Sequence, residues 1–297
     1  MIVLYIVFCA AAAIFVVACA VRAVRYTSAP PHLRWELYPV PHERADRAEH
    51  GGSYFEEGDW WTRPEHSNIM GELKVMVPEM LFLKALWEHN RTLWYRSFTF
   101  HFGLYMVIGS LALLGIAAVA GFPALGVVYA PVGAIGAALV MLGATGLLIR
   151  RVSDPELKNY TNKADLFNLV FFIGTFALLA AGYLTRAAGA PAMYEIARGF
   201  LRFDSGVSVP PLLMAGLVAG SALAAYIPLT HMSHFIAKYF TYHSIRWDDQ
   251  PLSRRRDIER KISECLTYRP TWAAKHLGAD GKKTWAEVAG ENPWATK

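Results

Sequence analysis

Three histidines stand at the ends of long apolar runs. His231 and His234 close one of them, in IPLTHMSHFIAKYF, and His101 stands near the start of another, in SFTFHFGLYMVIG. An ionisable side chain in a membrane-spanning segment is a functional candidate by default, because burying it in hydrocarbon is costly. If the two runs cross a bilayer in opposite directions, all three imidazoles lie at a similar depth. Two imidazoles on different helices, facing each other, are what a haem b requires. One ring nitrogen binds each side of the iron, and each remaining ring N–H needs its own acceptor. Iron with both axial positions filled has no site for oxygen chemistry, so such a haem carries electrons.

His101 and His234 are therefore the candidate iron ligands. His231, one turn before His234, is the alternative ligand, or a partner for a haem propionate or a quinone. Small residues that could make room for a macrocycle are Gly103 and Gly109 near His101, and Gly143 and Gly146 on the third run. Counting back from His234 at helical spacing gives Thr230, Ile227, Leu223, Gly220 and Gly216, a face with two glycines but bulky residues nearest the histidine. His32, His42, His50, His66, His89, His243 and His276 read as surface or loop residues. A rival reading takes the H-x-x-H of HMSH, with His243 nearby, as a non-haem metal site. A diiron desaturase would need further histidine boxes and a zinc protease an H-E-x-x-H helix, and neither pattern occurs. A purely structural membrane anchor is the remaining alternative.

The elements that position these residues are five uncharged runs: Ile2–Val21, Phe98–Val119, Val127–Leu148, Leu166–Tyr183 and Val207–Ala237. Each reaches the ~17–25 residues a helix needs to cross a ~30 Å hydrocarbon core. The chain is 54% hydrophobic and only 18% charged, below the ~25% of ordinary soluble domains. The expected fold is an all-α integral membrane bundle of five transmembrane helices. The first run lacks the preceding positive charge of a signal peptide, so it is read as a retained helix with its N-terminus outside. That orientation places 26 of the 29 Lys and Arg on the inner side, leaving Arg186, Arg198 and Arg202 outside, as the positive-inside rule expects. The net charge of +5 is then topological and does not imply nucleic-acid binding. The expected location is the cell's inner (cytoplasmic) membrane, with the C-terminus cytoplasmic.

The expected organisation is a first helix over 1–25, a cytoplasmic loop over 26–96, a four-helix haem-binding core over 97–237 and a cytoplasmic tail over 238–297. In the loop, Leu73, Met76, Met80, Leu83 and Trp87 suit one face of an amphipathic helix at the membrane interface, with Pro78 as a kink. Glu72 and Glu79 are candidate proton contacts for a quinone. Tyr54, Phe55, Trp60 and Trp61, with Trp247, Trp272, Trp285 and Trp294 of the tail, are more aromatics than solvated linkers carry, and suggest a docking surface. Asn162 or Asp165 is placed to cap the fourth helix. The loop before the fifth suggests a short interfacial helix. The three cysteines, Cys9, Cys19 and Cys265, form no C-x-x-C, so the chain has no cluster-binding set of its own.

The five-helix plan, FHFGL around His101, PLTHMSHF ending in His234 and the link IRRVSDPELKNYTNKAD together resemble the gamma subunit of respiratory nitrate reductase, a membrane cytochrome b. The likeness covers roughly residues 97–240. HLRWELYPVPHE, GGSYFEEGDWW and HFIAKYFTYHSIRWDD look like the DsrM and TmcC branch of that family. The resemblance implies haem b held by His101 and His234, and exchange of electrons with a menaquinone-type quinone. It implies a cytoplasmic iron–sulfur partner of heterodisulfide-reductase type, alongside further membrane or periplasmic cytochrome subunits. The positions where the family carries ligands for a second haem are Leu111 and Gly216, so one haem, on the inner side, is expected.

Overall fold

A computed structural model describes residues 1–28, 69–237, 262–271 and 277–291. Among these residues the protein is all α-helical, with no strand. The helices are α1 (Ile2–Ser28), α2 (Ile69–Phe82), α3 (Lys84–His89), α4 (Arg91–Ala120), α5 (Gly126–Ser153), α6 (Pro155–Asn159), α7 (Lys163–Leu184), α8 (Met193–Leu201), α9 (Pro211–Tyr226) and, in the tail, α10 (Trp285–Gly290). Five segments are long and apolar enough to cross a membrane: Ile2–Tyr26, Arg91–Ala120, Pro123–Ser153, Lys163–Leu184 and Pro211–Leu229. Large apolar side chains such as Ile108, Leu142 and Ile149 are exposed on them, as lipid contact requires. The protein is a multi-pass membrane protein. Its residues form two units, Met1–Arg22 with Ala85–His234, and Ala23–Lys84 with Phe235–Lys297.

The first unit is the bundle. In it α4 packs on α5, α5 on α7 and α7 on α9. Glycines set two of these contacts. A Cβ on Gly103 would lie 2.6 Å from the Val140 nitrogen, and one on Gly136 2.9 Å from the Gly103 carbonyl oxygen. Gly143 meets the backbone of Phe100 in the same seam. Small residues let membrane helices approach this closely, where van der Waals contact rather than the hydrophobic effect drives association. Ser110 extends the seam by donating to the Tyr129 carbonyl at 2.7 Å. The α7–α9 contact repeats the device: a Cβ on Gly182 would stand 2.5 Å from Leu213 Cα, and one on Gly216 2.9 Å from Leu179 Cα. Phe100, Val140, Ala144, Leu169, Phe172, Phe176 and Leu223 fill the centre.

Local signals fix the helix ends. The Asn90 side chain accepts from Leu93 N at 3.0 Å, so α4 starts at Arg91. The expected core boundary at 97 therefore falls inside the helix. Hydropathy marks the hydrocarbon-facing part of a helix and misses the turns that carry Arg91 and Arg96. Gly121 ends α4 in the left-handed conformation at φ 70°. At the start of α7, Asn162 and Asp165 cap together, each side chain accepting from the other's backbone N–H at 2.9 Å. A short helix does precede α9: it is α8, which seats Ile196 in the fold.

The fifth span departs from expectation. It is not one helix to residue 237. Helix α9 ends at Tyr226, and 3-10 turns over Ile227–Leu229 and His231–Ser233 follow. Pro228 has no N–H to continue the ladder, and Thr230 is extended at φ −115° and ψ −178°. The Thr230 hydroxyl accepts from Met232 N at 3.3 Å and starts the next turn.

In the second unit, α2 runs through Pro78 and stops at Leu83, which takes φ 54°. Met76 is buried, yet Met70, Leu73, Val77, Leu81 and Phe82 are all exposed. The apolar surface is thus broader than the single stripe the spacing suggests. Trp60, Trp61 and Trp247 of the expected docking surface lie outside the described residues, as does the side chain of Glu72. Glu79 lies in this second unit.

Candidate functional site

The α4 start, the α5 end, the α7 start and the segment after α9 meet at one end of the bundle. Arg150 at the end of α5 donates to Thr92 near the start of α4 at 3.0 Å. Arg151 lies 3.7 Å from Asp165 of α7. Arg22 near the end of α1 donates to the carbonyl of Pro228. All three candidate histidines are at this end.

His101 and His234 come together with ring centroids 6.0 Å apart and ring planes inclined at 71°. His101 stands on α4, where its Nδ1 is 2.7 Å from the Ser97 carbonyl oxygen, one turn back on the same helix. That contact requires Nδ1 to carry the proton, which leaves Nε2 with its lone pair. His234 begins the helical turn 234–237, after the break at Thr230. Counting back along an unbroken helix from His234 therefore does not describe its surroundings. Gly216 packs against Leu179 instead. Gly103 and Gly143 are likewise spent on the α4–α5 seam, and the end of the Gly146 face meets the Arg96 side chain at 3.3 Å. Gly109 alone among the four has open space. The histidine-bearing segments belong to different helix pairs, α4 packing on α5 and α9 on α7.

His231 does something the sequence did not suggest. Its Nε2 is 3.0 Å from Asp165 Oδ1 and 3.3 Å from Asn168 Nδ2. Tyr226 donates to Asn168 Oδ1 at 2.9 Å. Asn168 is 5% exposed, and the Asp165 side chain is 10% exposed against 58% for His231. Asp165 is thus a helix cap, an ion-pair partner of Arg151 and the anchor of His231 at once. Phe167 and Phe171 each lie 5.7 Å from the Tyr226 ring, centroid to centroid, and 5.6 Å from each other. Asn168 and Tyr226 were missed in the sequence. The available signal was a lone amide in LFNLVFFIG, since a polar side chain in a membrane helix needs a partner.

Among the described residues no group of three or more His, Cys, Asp or Glu side chains gathers into a metal-holding set, and His243 lies outside them. Cys9, Cys19 and Cys265 are free thiols. The opposite end of the bundle is held by α8: Tyr5 of α1 donates to the Gly199 and Phe200 carbonyls at 2.9 Å, and Arg198 donates to Tyr194 Oη at 2.6 Å. No family model, curated protein or solved structure matches the chain.

Proposed function

We propose that the protein is a membrane cytochrome b subunit of a redox complex. It passes electrons between a membrane quinone of menaquinone type and a cytoplasmic iron–sulfur partner similar to heterodisulfide reductase. The observation that carries this reading is the His101–His234 pair at 6.0 Å. Metal–imidazole bonds are about 2.0 Å long, so two imidazoles at this separation are near enough to hold one ion between them. The Ser97 carbonyl holds the His101 ring in the tautomer that presents Nε2, the usual arrangement for a metal-ligating imidazole. Haem b, when bound between them, supplies one-electron transfer. The sequence resemblance to the nitrate reductase gamma subunit and to the DsrM and TmcC branch points the same way.

The same reading assigns one haem per chain. Leu111 is exposed on the bundle surface and Gly216 is packed on Leu179, so neither position offers a second ligand pair. Three cysteines with no C-x-x-C make no cluster-binding set in the sequence, so in this reading the partner brings the cluster. The charge distribution along the sequence favours a histidine end on the cytoplasmic side of the inner membrane, with the N-terminus outside. The test is the visible spectrum of the purified protein, oxidised and dithionite-reduced, with iron counted per polypeptide. A low-spin Soret band, a reduced alpha band and one iron per chain support the reading. Absence of haem from protein folded in membranes overturns it.

A further inference from the structure

The polar cluster around His231 has more hydrogen-bonding capacity than it uses. An amide offers two N–H groups and two lone pairs, and an imidazole one group on each nitrogen. Asn168 spends its carbonyl on Tyr226 and one N–H contact on His231. The His231 ring is 58% exposed, and its Nδ1 has no hydrogen-bond partner among the described residues. Its Nε2 is shared between a carboxylate, which needs an N–H there, and an amide, which needs a lone pair. With the proton on Nε2, the ring is anchored to Asp165 and turns a bare Nδ1 outward. Asp165 is in turn held by the Asn162 backbone and faced by Arg151, so its charge is fixed in place.

Next to this polar group stands an aromatic wall of Phe167, Phe171 and Tyr226. Phe167 is 52% exposed on a helix apolar enough to cross the membrane. Aromatic side chains beside a few convergent polar groups are the lining expected of a small-molecule site. An occupant suited to it arrives through lipid, carries a ring that packs on aromatic side chains, and has an oxygen that hydrogen-bonds an imidazole.

We propose that Asn168, His231 and the Phe167–Phe171–Tyr226 wall form the headgroup site for the quinone. The assignment rests on the cytochrome reading above and places that reading's lipid-soluble substrate at the histidine end of the bundle. In the quinol state a ring hydroxyl donates to His231 Nδ1, and the ring stacks against the aromatic wall. When the hydroxyl proton moves, its O–H bond breaks and an N–H bond forms at Nδ1. The imidazolium so formed is paired through Nε2–H with Asp165. One electron leaves the quinol with that proton, to be taken by the haem that His101 and His234 would hold. The second electron and proton follow in a repeat of the step, once the iron–sulfur partner of the proposed function has drawn off the first electron and the exposed His231 ring has released the first proton to water.

Equilibrium binding of a radiolabelled menaquinone with a short isoprenoid tail, to the full chain in nanodiscs, tests the site. His231→Ala and Phe167→Ala should each weaken binding at least tenfold, with the haem spectrum of the wild type retained. Phe167 is exposed, so its variant keeps the fold even if the His231 variant loses stability. Wild-type affinity in both variants overturns the proposal. If the wild type has no haem spectrum, the cytochrome reading fails, and the same two affinities still decide the site.

Discussion

His101 and His234 meet at 6.0 Å although 132 residues and three membrane segments separate them in the sequence. One is carried by a long regular helix, the other by a short turn beyond a helix break. His101→Ala and His234→Ala are each expected to abolish low-spin haem while the chain still inserts into membranes. His231→Ala is expected to keep it, because His231 Nε2 is engaged by Asp165 and Asn168. Absorption spectra of the three purified variants check this, and loss of haem in the His231 variant alone would transfer the ligand role to that residue.

The glycine contacts separate close packing from open space. Gly182→Ala places a methyl 2.5 Å from Leu213 backbone atoms, which cannot swing aside. Overpacking of this kind costs about 1–3 kcal/mol. Gly109→Ala meets nothing within 4 Å and gains about 0.5–1 kcal/mol of helix propensity. Thermal unfolding in detergent should therefore move in opposite directions for the two variants.

Thr175 is 2% exposed, and its hydroxyl has no hydrogen-bond partner. Thr175→Val keeps the shape and removes an unsatisfied group. It is expected to stabilise the bundle by about 1 kcal/mol, read as a higher unfolding midpoint. A lower midpoint would mean that the hydroxyl is satisfied by a group bound to the folded protein.

In the tail, Thr284 and Glu287 cap α10 reciprocally, the Thr284 N–H donating to the Glu287 carboxylate at 2.6 Å and the hydroxyl at 2.9 Å. The backbone bond first, then the hydroxyl bond, hold the Glu287 carboxyl below the ordinary glutamate range. Its contribution is therefore present above that range and lost as pH falls through the depressed value. Amide exchange across α10 should accelerate on acidification. Thr284→Ala should shift the Glu287 titration, followed by NMR, back towards the ordinary range.

The spans were legible because uncharged runs of membrane length leave little alternative, and His101 because an imidazole near the start of such a run is conspicuous. The helix break was not, since Pro228 and Thr230 sit in a run whose hydropathy continues unbroken to Ala237. Hydropathy reports lipid compatibility, whereas the break is made by a missing N–H and a hydroxyl cap. The His231 cluster was hidden for a different reason. Asn168 and Tyr226 are 58 residues apart, and only the antiparallel packing of α7 and α9 makes them neighbours. The role of Asp165 as a cap was readable from spacing, but its reach to His231 was not.

The Arg22–Pro228 hydrogen bond ties the first span to the broken end of the last. A carbonyl released by a helix break within a membrane is expensive to leave unsatisfied, and here the donor is inserted more than 200 residues before its acceptor is synthesised. The first span consequently stays incomplete until the last one emerges. His101 is delivered early and His234 late, so the pair comes into existence only as the bundle closes. A metal group held by both histidines, as proposed, would be captured only in the final stage of biogenesis, after every span is in the bilayer.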